Sequence, residues 1–154
     1  MDSNIPQGVT APVICPSRGN INGEFYREKC IKQTLLPFQA TYYPSGDYVF
    51  WPDLAAAHYA SATATLLTEA EVPTVTREMN PPNVPQLRPI EDFWGFLKQE
   101  VYRGGWEASS EQMLRSRIRS SLNKISPSVP RKMMEGLGKR VRLADRHGVE
   151  ELVH

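Results

Sequence analysis

At 154 residues, the chain is long enough for one domain with a core of moderate size. Its fractions of apolar and charged residues are typical of a soluble protein, and its net charge of +1 indicates no partner by itself. No apolar run approaches the length of a membrane span, and the first residues resemble no signal or transit peptide. The two cysteines, Cys15 and Cys30, lack the spacing of a zinc site, so we expect free thiols in a reducing compartment.

The first half of the chain alternates between strand and helix patterns. In chain order, the patterns predict a strand over 9–15, a helix over 23–36, a strand over 48–51, a helix over 55–70 and a strand over 72–76. Alternation of this kind predicts parallel strands joined by right-handed crossovers. We therefore expect an α/β fold, with Pro37 ending the first helix.

The second half reads as helices behind a proline-rich loop. Four prolines between Asn80 and Pro89 forbid regular structure there. A helix should follow from Pro89 to about Tyr102, ended by Gly104 and Gly105. Ser109 or Ser110 should cap the next helix, and a last helix is predicted over 131–142.

The segment from Met113 to Arg146 is strongly basic. It contains ten lysines and arginines against two acids, although the whole chain is nearly neutral. The pattern predicts either a polyanionic partner or a solvated helical face, and the two interpretations are about equally supported. The candidate nucleic-acid-binding residues are Arg115, Arg119, Lys124, Arg131, Lys132, Lys139 and Arg140.

Two acids, Asp53 and Glu91, are the candidates for chemistry. Asp53 follows the predicted strand 48–51, and Glu91 opens the helix after the proline-rich loop. In an open α/β sheet, both could lie beyond the carboxyl ends of the strands, where paired carboxylates would bind Mg²⁺. The alternatives are ordinary: Asp53 as a helix N-cap, Glu91 as a partner of the helix dipole, and His58 as a surface or packing residue.

The segments VFWPDLAAAHYA and NPPNVPQLRPIEDFWGFLKQEVY resemble the second and third catalytic motifs of mariner-superfamily DDE transposases. In that family, an apolar strand ends in the second aspartate, with a histidine five residues later, matching Asp53 and His58. The third motif, Pro-x-x-x-Pro-x-Leu-x-Pro-Ile-Glu-x-x-Trp, places the third acid at Glu91, and Asp92 is the alternative one position later. GNINGEFYREKCIKQTLLPF is also similar to the family's segment between its first and second acids, so the resemblance covers roughly residues 8–142.

The resemblance implies an incomplete ribonuclease H-like core over residues 1–104 and a basic helical extension over 105–154. It also implies Mg²⁺ or Mn²⁺ held by Asp53 and Glu91, DNA as the partner, and a nuclear location. Phe93 and Trp94 would pack their helix onto the sheet.

The chain departs from the family at the first acid. The family's first aspartate precedes the segment that matches here, and Asp2 is the only acid ahead of the first predicted strand. We therefore expect a transposase-derived chain that is inactive alone, with an unpaired sheet edge that favours association, for example as a homodimer. The alternative is a nucleic-acid-binding or protein-interaction module whose acids are structural.

Overall fold

Helices form most of the regular structure of the described residues. The computed structural model describes residues 8–16, 19–82 and 84–148; Asp2 lies outside them. Helix α1 has three consecutive segments, Gly23–Phe25, the π-helical Tyr26–Leu35 and Leu36–Tyr42. The other helices are α2 (Ser61–Glu69), α3 (Pro89–Val101), α4 (Glu111–Lys124), α5 (Ser128–Glu135) and α6 (Leu137–His147), and single 3₁₀ turns occupy Ala56–His58, Pro85–Leu87 and Arg103–Gly105.

The expected α/β fold with an incomplete ribonuclease H-like core is wrong, because the described residues are helical and form no sheet. Residues 9–15, which were predicted to form a strand, form none. The segments 48–51 and 72–76 meet in a single parallel bridge, between Phe50 and Thr74. Both segments are short. The first is followed by Pro52 and the second contains Pro73, and a lone pair of strands is marginal in water.

The chain divides into two compact units, one over Pro12–Pro82 and the other over Asn83–His154 together with Met1–Ala11. Within the residues that the structure describes, no helix has the length and apolar character that a membrane span requires.

The core of the unit Pro12–Pro82 is built on α1. Tyr26 and Ile31 are buried in it with Leu67 and Val72. The predicted end of the helix at Pro37 is wrong, since helical geometry continues to Tyr42. The Leu36 N–H bonds to the carbonyl of Ile31, five residues back, and Pro37 then occupies the first turn of the next segment, where a missing N–H is tolerated.

Burial of Tyr26 makes the stability of this unit sensitive to high pH. Its side chain is 7% exposed, and burial, followed by the nearby Cys30, Asp53 and Tyr59, raises the pKa of its phenol well above the ordinary value. Above pH 10, the unfolded chain loses this proton while the folded chain keeps it, so the unfolded state binds fewer protons and stability falls as pH rises.

We expect the free energy of unfolding to fall with pH above 10 more steeply in the native chain than in Tyr26→Phe. The difference in slope should approach at most about 1.4 kcal/mol per pH unit. Urea unfolding at pH 8 to 11 measures it. Equal slopes in both proteins would show that Tyr26 is not the group whose raised pKa makes stability depend on pH.

The core of the unit Asn83–His154 is a stripe on α3. Phe93, Leu97 and Val101 recur at helical spacing and are buried. Side chains of α4 cover them: Leu114, Ile118 and Leu122. Each buried apolar side chain of this size contributes about 1.5–3 kcal/mol.

Two local signals set the connection between α3 and α4. Gly104 and Gly105 both have left-handed backbone angles, with φ of 73° and 72°, which glycine adopts without steric cost. Ser110 then caps α4, because its hydroxyl oxygen accepts a hydrogen bond from the Met113 N–H at 3.2 Å. The predicted last helix over 131–142 is instead two helices, α5 and α6, which meet at Gly136.

Candidate functional site

Asp53 lies in the turn that follows the extended segment 48–51. Its Oδ1 accepts a hydrogen bond from the Ala55 N–H at 2.8 Å and lies 2.7 Å from His58 Nδ1. The His58 ring in turn stacks on Tyr26, with centroids 4.1 Å apart. The Asp53 side chain is 54% exposed, and its Oδ2 has no hydrogen-bond partner among the described residues. One oxygen therefore holds the local turn and the other is available to a ligand.

Asp53 is consequently not the N-cap of a long helix. Its bond to Ala55 closes a turn of the type that aspartate commonly makes with the backbone two residues on. The α-helix begins only at Ser61, after the short turn Ala56–His58. The resemblance places His58 five residues after Asp53, and the structure brings the two side chains into contact.

Asn80 fixes the backbone that leads into Asp53. It is 2% exposed, and its Oδ1 accepts a hydrogen bond from Trp51 Nε1 at 2.9 Å. Its Nδ2 donates to the Pro52 carbonyl at 2.8 Å and to the Tyr59 hydroxyl at 2.7 Å. The side chain thus joins the residues on both sides of Asp53 to the start of the proline-rich stretch.

Sequence reasoning missed this role of Asn80. An asparagine before two prolines is typical of a turn, and nothing in the pattern marks its side chain as buried. The sequence offered one indirect signal: a buried Trp51 would need a hydrogen-bond acceptor for its indole N–H.

In the other unit, Glu91 and Asp92 have different surroundings. Both lie in the first turn of α3 and are exposed. Asp92 Oδ2 accepts a hydrogen bond from Arg140 Nη1 at 2.8 Å, whereas the Glu91 carboxylate has no partner among the described residues. Glu91 is therefore the acid that is available to a ligand, and Asp92 has a structural contact.

Arg140 joins three parts of this unit. Besides Asp92, its guanidinium donates to the carbonyl of Gln86 at 3.0 Å and to the carbonyl of Met133 at 3.3 Å. The proline-rich loop, the start of α3 and the helix α5 therefore share one side chain of α6. This contact was not visible in the sequence, which made Arg140 a candidate nucleic-acid-binding residue.

The other candidate nucleic-acid-binding residues fall into two groups. Arg115 pairs with Glu111 on the same helix, and Arg131 is only partly exposed. The remaining four are exposed and have no hydrogen-bond or ion-pair partner in the described part of the chain: Arg119, Lys124, Lys132 and Lys139. Arg117, which was not among the candidates, lies over the Trp106 ring at 5.3 Å and donates to the Val101 carbonyl.

Phe93 and Trp94 also differ from each other. Phe93 is buried against α4, and Trp94 is 54% exposed. Their expected packing onto a sheet is wrong because the described residues contain no sheet.

Comparison with known proteins gives no family assignment. No protein-family model matches the chain, and no curated protein matches it.

The acids present fit Mg²⁺ or Mn²⁺ in kind. Carboxylate oxygens are ligands that these ions take, and both Asp53 Oδ2 and Glu91 are available. Among the described residues, no three histidine, cysteine, aspartate or glutamate side chains are grouped so that they could hold an ion. Each acid belongs to a different unit, and the pairing of Asp53 with Glu91 remains a prediction from the sequence.

Proposed function

We propose that the chain is derived from a mariner-superfamily DDE transposase and that its partner is DNA. The observation that supports this most is the contact between two sequence motifs. Asn80, which opens the proline-rich motif, binds both Trp51 and Pro52 of the motif that contains Asp53. Residues nearly thirty positions apart are thereby held together beside the first candidate acid. The proposal predicts a nuclear location, where the DNA is.

Asp53 and Glu91 would hold the metal ion in this proposal. A DDE site uses the ion to activate the attacking oxygen and to stabilise the leaving oxygen of a phosphodiester. Two carboxylates bind such an ion weakly, and small misplacements in the site cost orders of magnitude in rate. The 154-residue chain should therefore bind the ion without cutting DNA efficiently.

We expect Mn²⁺ to stabilise the chain against heat. At ten times the dissociation constant, a single bound ion adds about 1.4 kcal/mol to the free energy of unfolding. Asp53→Asn and Glu91→Gln should each abolish the stabilisation, and Glu107→Gln, which removes an exposed carboxylate elsewhere, should preserve it. Nicking of supercoiled DNA measured in parallel should stay at background.

Two results would contradict this proposal. Equal Mn²⁺ stabilisation in Asp53→Asn and the native chain would remove Asp53 from the ligand set. Robust cleavage that Asp53→Ala abolishes would show that two carboxylates suffice, and the expected inactivity would be wrong.

A second candidate function is supported by the exposed bases of α4, α5 and α6. Arg119, Lys124, Lys132 and Lys139 are free to contact phosphates, so these helices could bind nucleic acid without any role for the acids. In this alternative, the chain is a binding module and metal ions do not affect it.

We expect binding of a short DNA duplex to weaken steeply with salt. Four phosphate contacts give a slope of about −3.6 for the logarithm of the association constant against the logarithm of salt concentration. Lys132→Gln should reduce the slope by about one. Lys29→Gln, an exposed base outside the segment, should leave it unchanged. Fluorescence anisotropy from 50 to 300 mM salt measures the slope, and a flat profile would remove the binding module as a function.

A further inference from the structure

The extended segment 48–51 has one bonded side and one open side. Toward residues 72–75, the Phe50 N–H donates to the Pro73 carbonyl at 2.7 Å, and the Phe50 carbonyl accepts from the Val75 N–H at 2.9 Å. Because peptide groups alternate in direction along an extended chain, the backbone groups of Val49 and Trp51 point to the opposite side. None of these groups has a backbone partner among the described residues.

The neighbouring residues leave this side accessible. Val49 is 66% exposed and Trp51 is partly exposed, so neither residue is buried in the core. The Pro52 carbonyl accepts a hydrogen bond from Asn80, on the bonded side. The N–H that Pro52 lacks would also point to the bonded side, so Pro52 removes no donor from the open side. Val49 and Trp51 therefore present two donors and two acceptors in strand spacing.

From this geometry we propose that the open side of residues 48–51 binds an extended peptide segment of another protein by strand pairing. Main-chain hydrogen bonds to Val49 and Trp51 supply the affinity in this mode of recognition. The charges select the sequence of the peptide, since the exposed acids Asp47 and Asp53 lie just beyond the two ends of the segment. The preferred partner has lysine or arginine near both ends and β-branched residues between them.

A second copy of this chain fits the open side less well. Antiparallel pairing of Val49 with Trp51 of a second copy would bring the end that carries Asp47 close to the end of that copy that carries Asp53, and the same at the other end. Like charges directly opposite each other destabilise a strand pair. A peptide with basic ends replaces both repulsions by attractions.

The test is an NMR titration of the full chain with a capped five-residue peptide, lysine at each end and Val-Thr-Val between them. We expect the largest shifts at the amides of Val49 and Trp51. Methylation of alternate backbone nitrogens of the peptide removes their N–H donors, and this distinguishes strand pairing from other modes of binding. A peptide methylated on the nitrogens that face the protein should bind at least about tenfold more weakly, and the peptide methylated on the other set should bind like the parent.

Variants of the protein test the same contacts from the other side. Val49→Pro removes one open donor and should weaken binding about tenfold, whereas Val49→Thr should not. Asp47→Asn should weaken binding of the lysine peptide about twofold to fivefold and leave a glutamine-ended peptide unaffected.

Three results would overturn the proposal. One is equal binding of both methylated peptides. Another is loss of binding with both of them. The last is concentration-dependent self-association that shifts the amides of Val49 and Trp51 while the peptide does not, which would assign the open side to a second copy.

Discussion

Asn80→Ala should lower the free energy of unfolding of the unit Pro12–Pro82 by about 3 kcal/mol or more. The substitution leaves the Trp51 indole N–H and the Pro52 carbonyl without their partner at a site where Asn80 is 2% exposed. An unsatisfied buried polar group costs about 1–3 kcal/mol, and the change affects at least two of them. Urea unfolding followed by tryptophan fluorescence measures the loss.

Two further variants make this result specific. Asn20→Ala removes an exposed asparagine of the same unit and should change stability by less than about 0.5 kcal/mol. Asn80→Asp keeps the acceptor for Trp51 but loses both donated bonds and buries a carboxylate, so it should also destabilise strongly. A native-like unfolding midpoint for Asn80→Ala would show that the three hydrogen bonds contribute little.

Arg140→Ala should destabilise the unit Asn83–His154 by about 2 kcal/mol. Its guanidinium bonds to one carboxylate and two backbone carbonyls, and hydrogen bonds to charged groups contribute about 1.5–3 kcal/mol each before exposure reduces them. Arg140→Lys should recover only part of the loss, because an ammonium cannot reproduce the planar fork. Thermal unfolding measures each variant.

The matched control for Arg140 is its neighbour in the same helix. Lys139→Ala removes an exposed base and should leave stability within about 0.5 kcal/mol of the native chain. A double-mutant cycle with Asp92→Asn should give a coupling energy of at least about 0.5 kcal/mol. Additive effects of the two substitutions would mean that the Arg140–Asp92 pair contributes nothing of its own.

The helices could be predicted where the signals are local. The predicted helix from Pro89 to about Tyr102 ends within a residue of α3, because a proline at its start and glycines after its end act over a few residues. A cap at Ser109 or Ser110 was predicted for the same reason, and Ser110 is the residue that caps α4. Short-range chemistry of this kind does not depend on the rest of the fold.

The α/β expectation was wrong because a strand needs partners that lie far away in the sequence, and the described residues form no sheet. Residues 48–51 have strong strand character, but one bridge to Thr74 is the only pairing they make among the described residues. The α/β expectation followed from the order of the patterns and not from any observed pairing.

The contacts around the candidate acids could not be predicted from the sequence. The family motif places His58 five residues after Asp53, but their contact is seen only in the folded chain. The contacts of Asn80 and Arg140 span 28 and 48 residues, and no periodicity or motif indicates them. What distinguishes Glu91 from Asp92 is likewise the position of Arg140, which only the folded chain reveals.

The paired left-handed glycines between α3 and α4 offer a genetic test of whether this protein is still under selection. A side chain at Gly104 or Gly105 costs about 1–2 kcal/mol in that backbone conformation, and asparagine, the residue that tolerates it best after glycine, cannot be reached from a glycine codon by one base change. In sequences that are not under selection for the fold, both codons should accumulate replacements as fast as silent changes. Related sequences that keep both glycines while silent sites diverge would show that the folded protein is under selection.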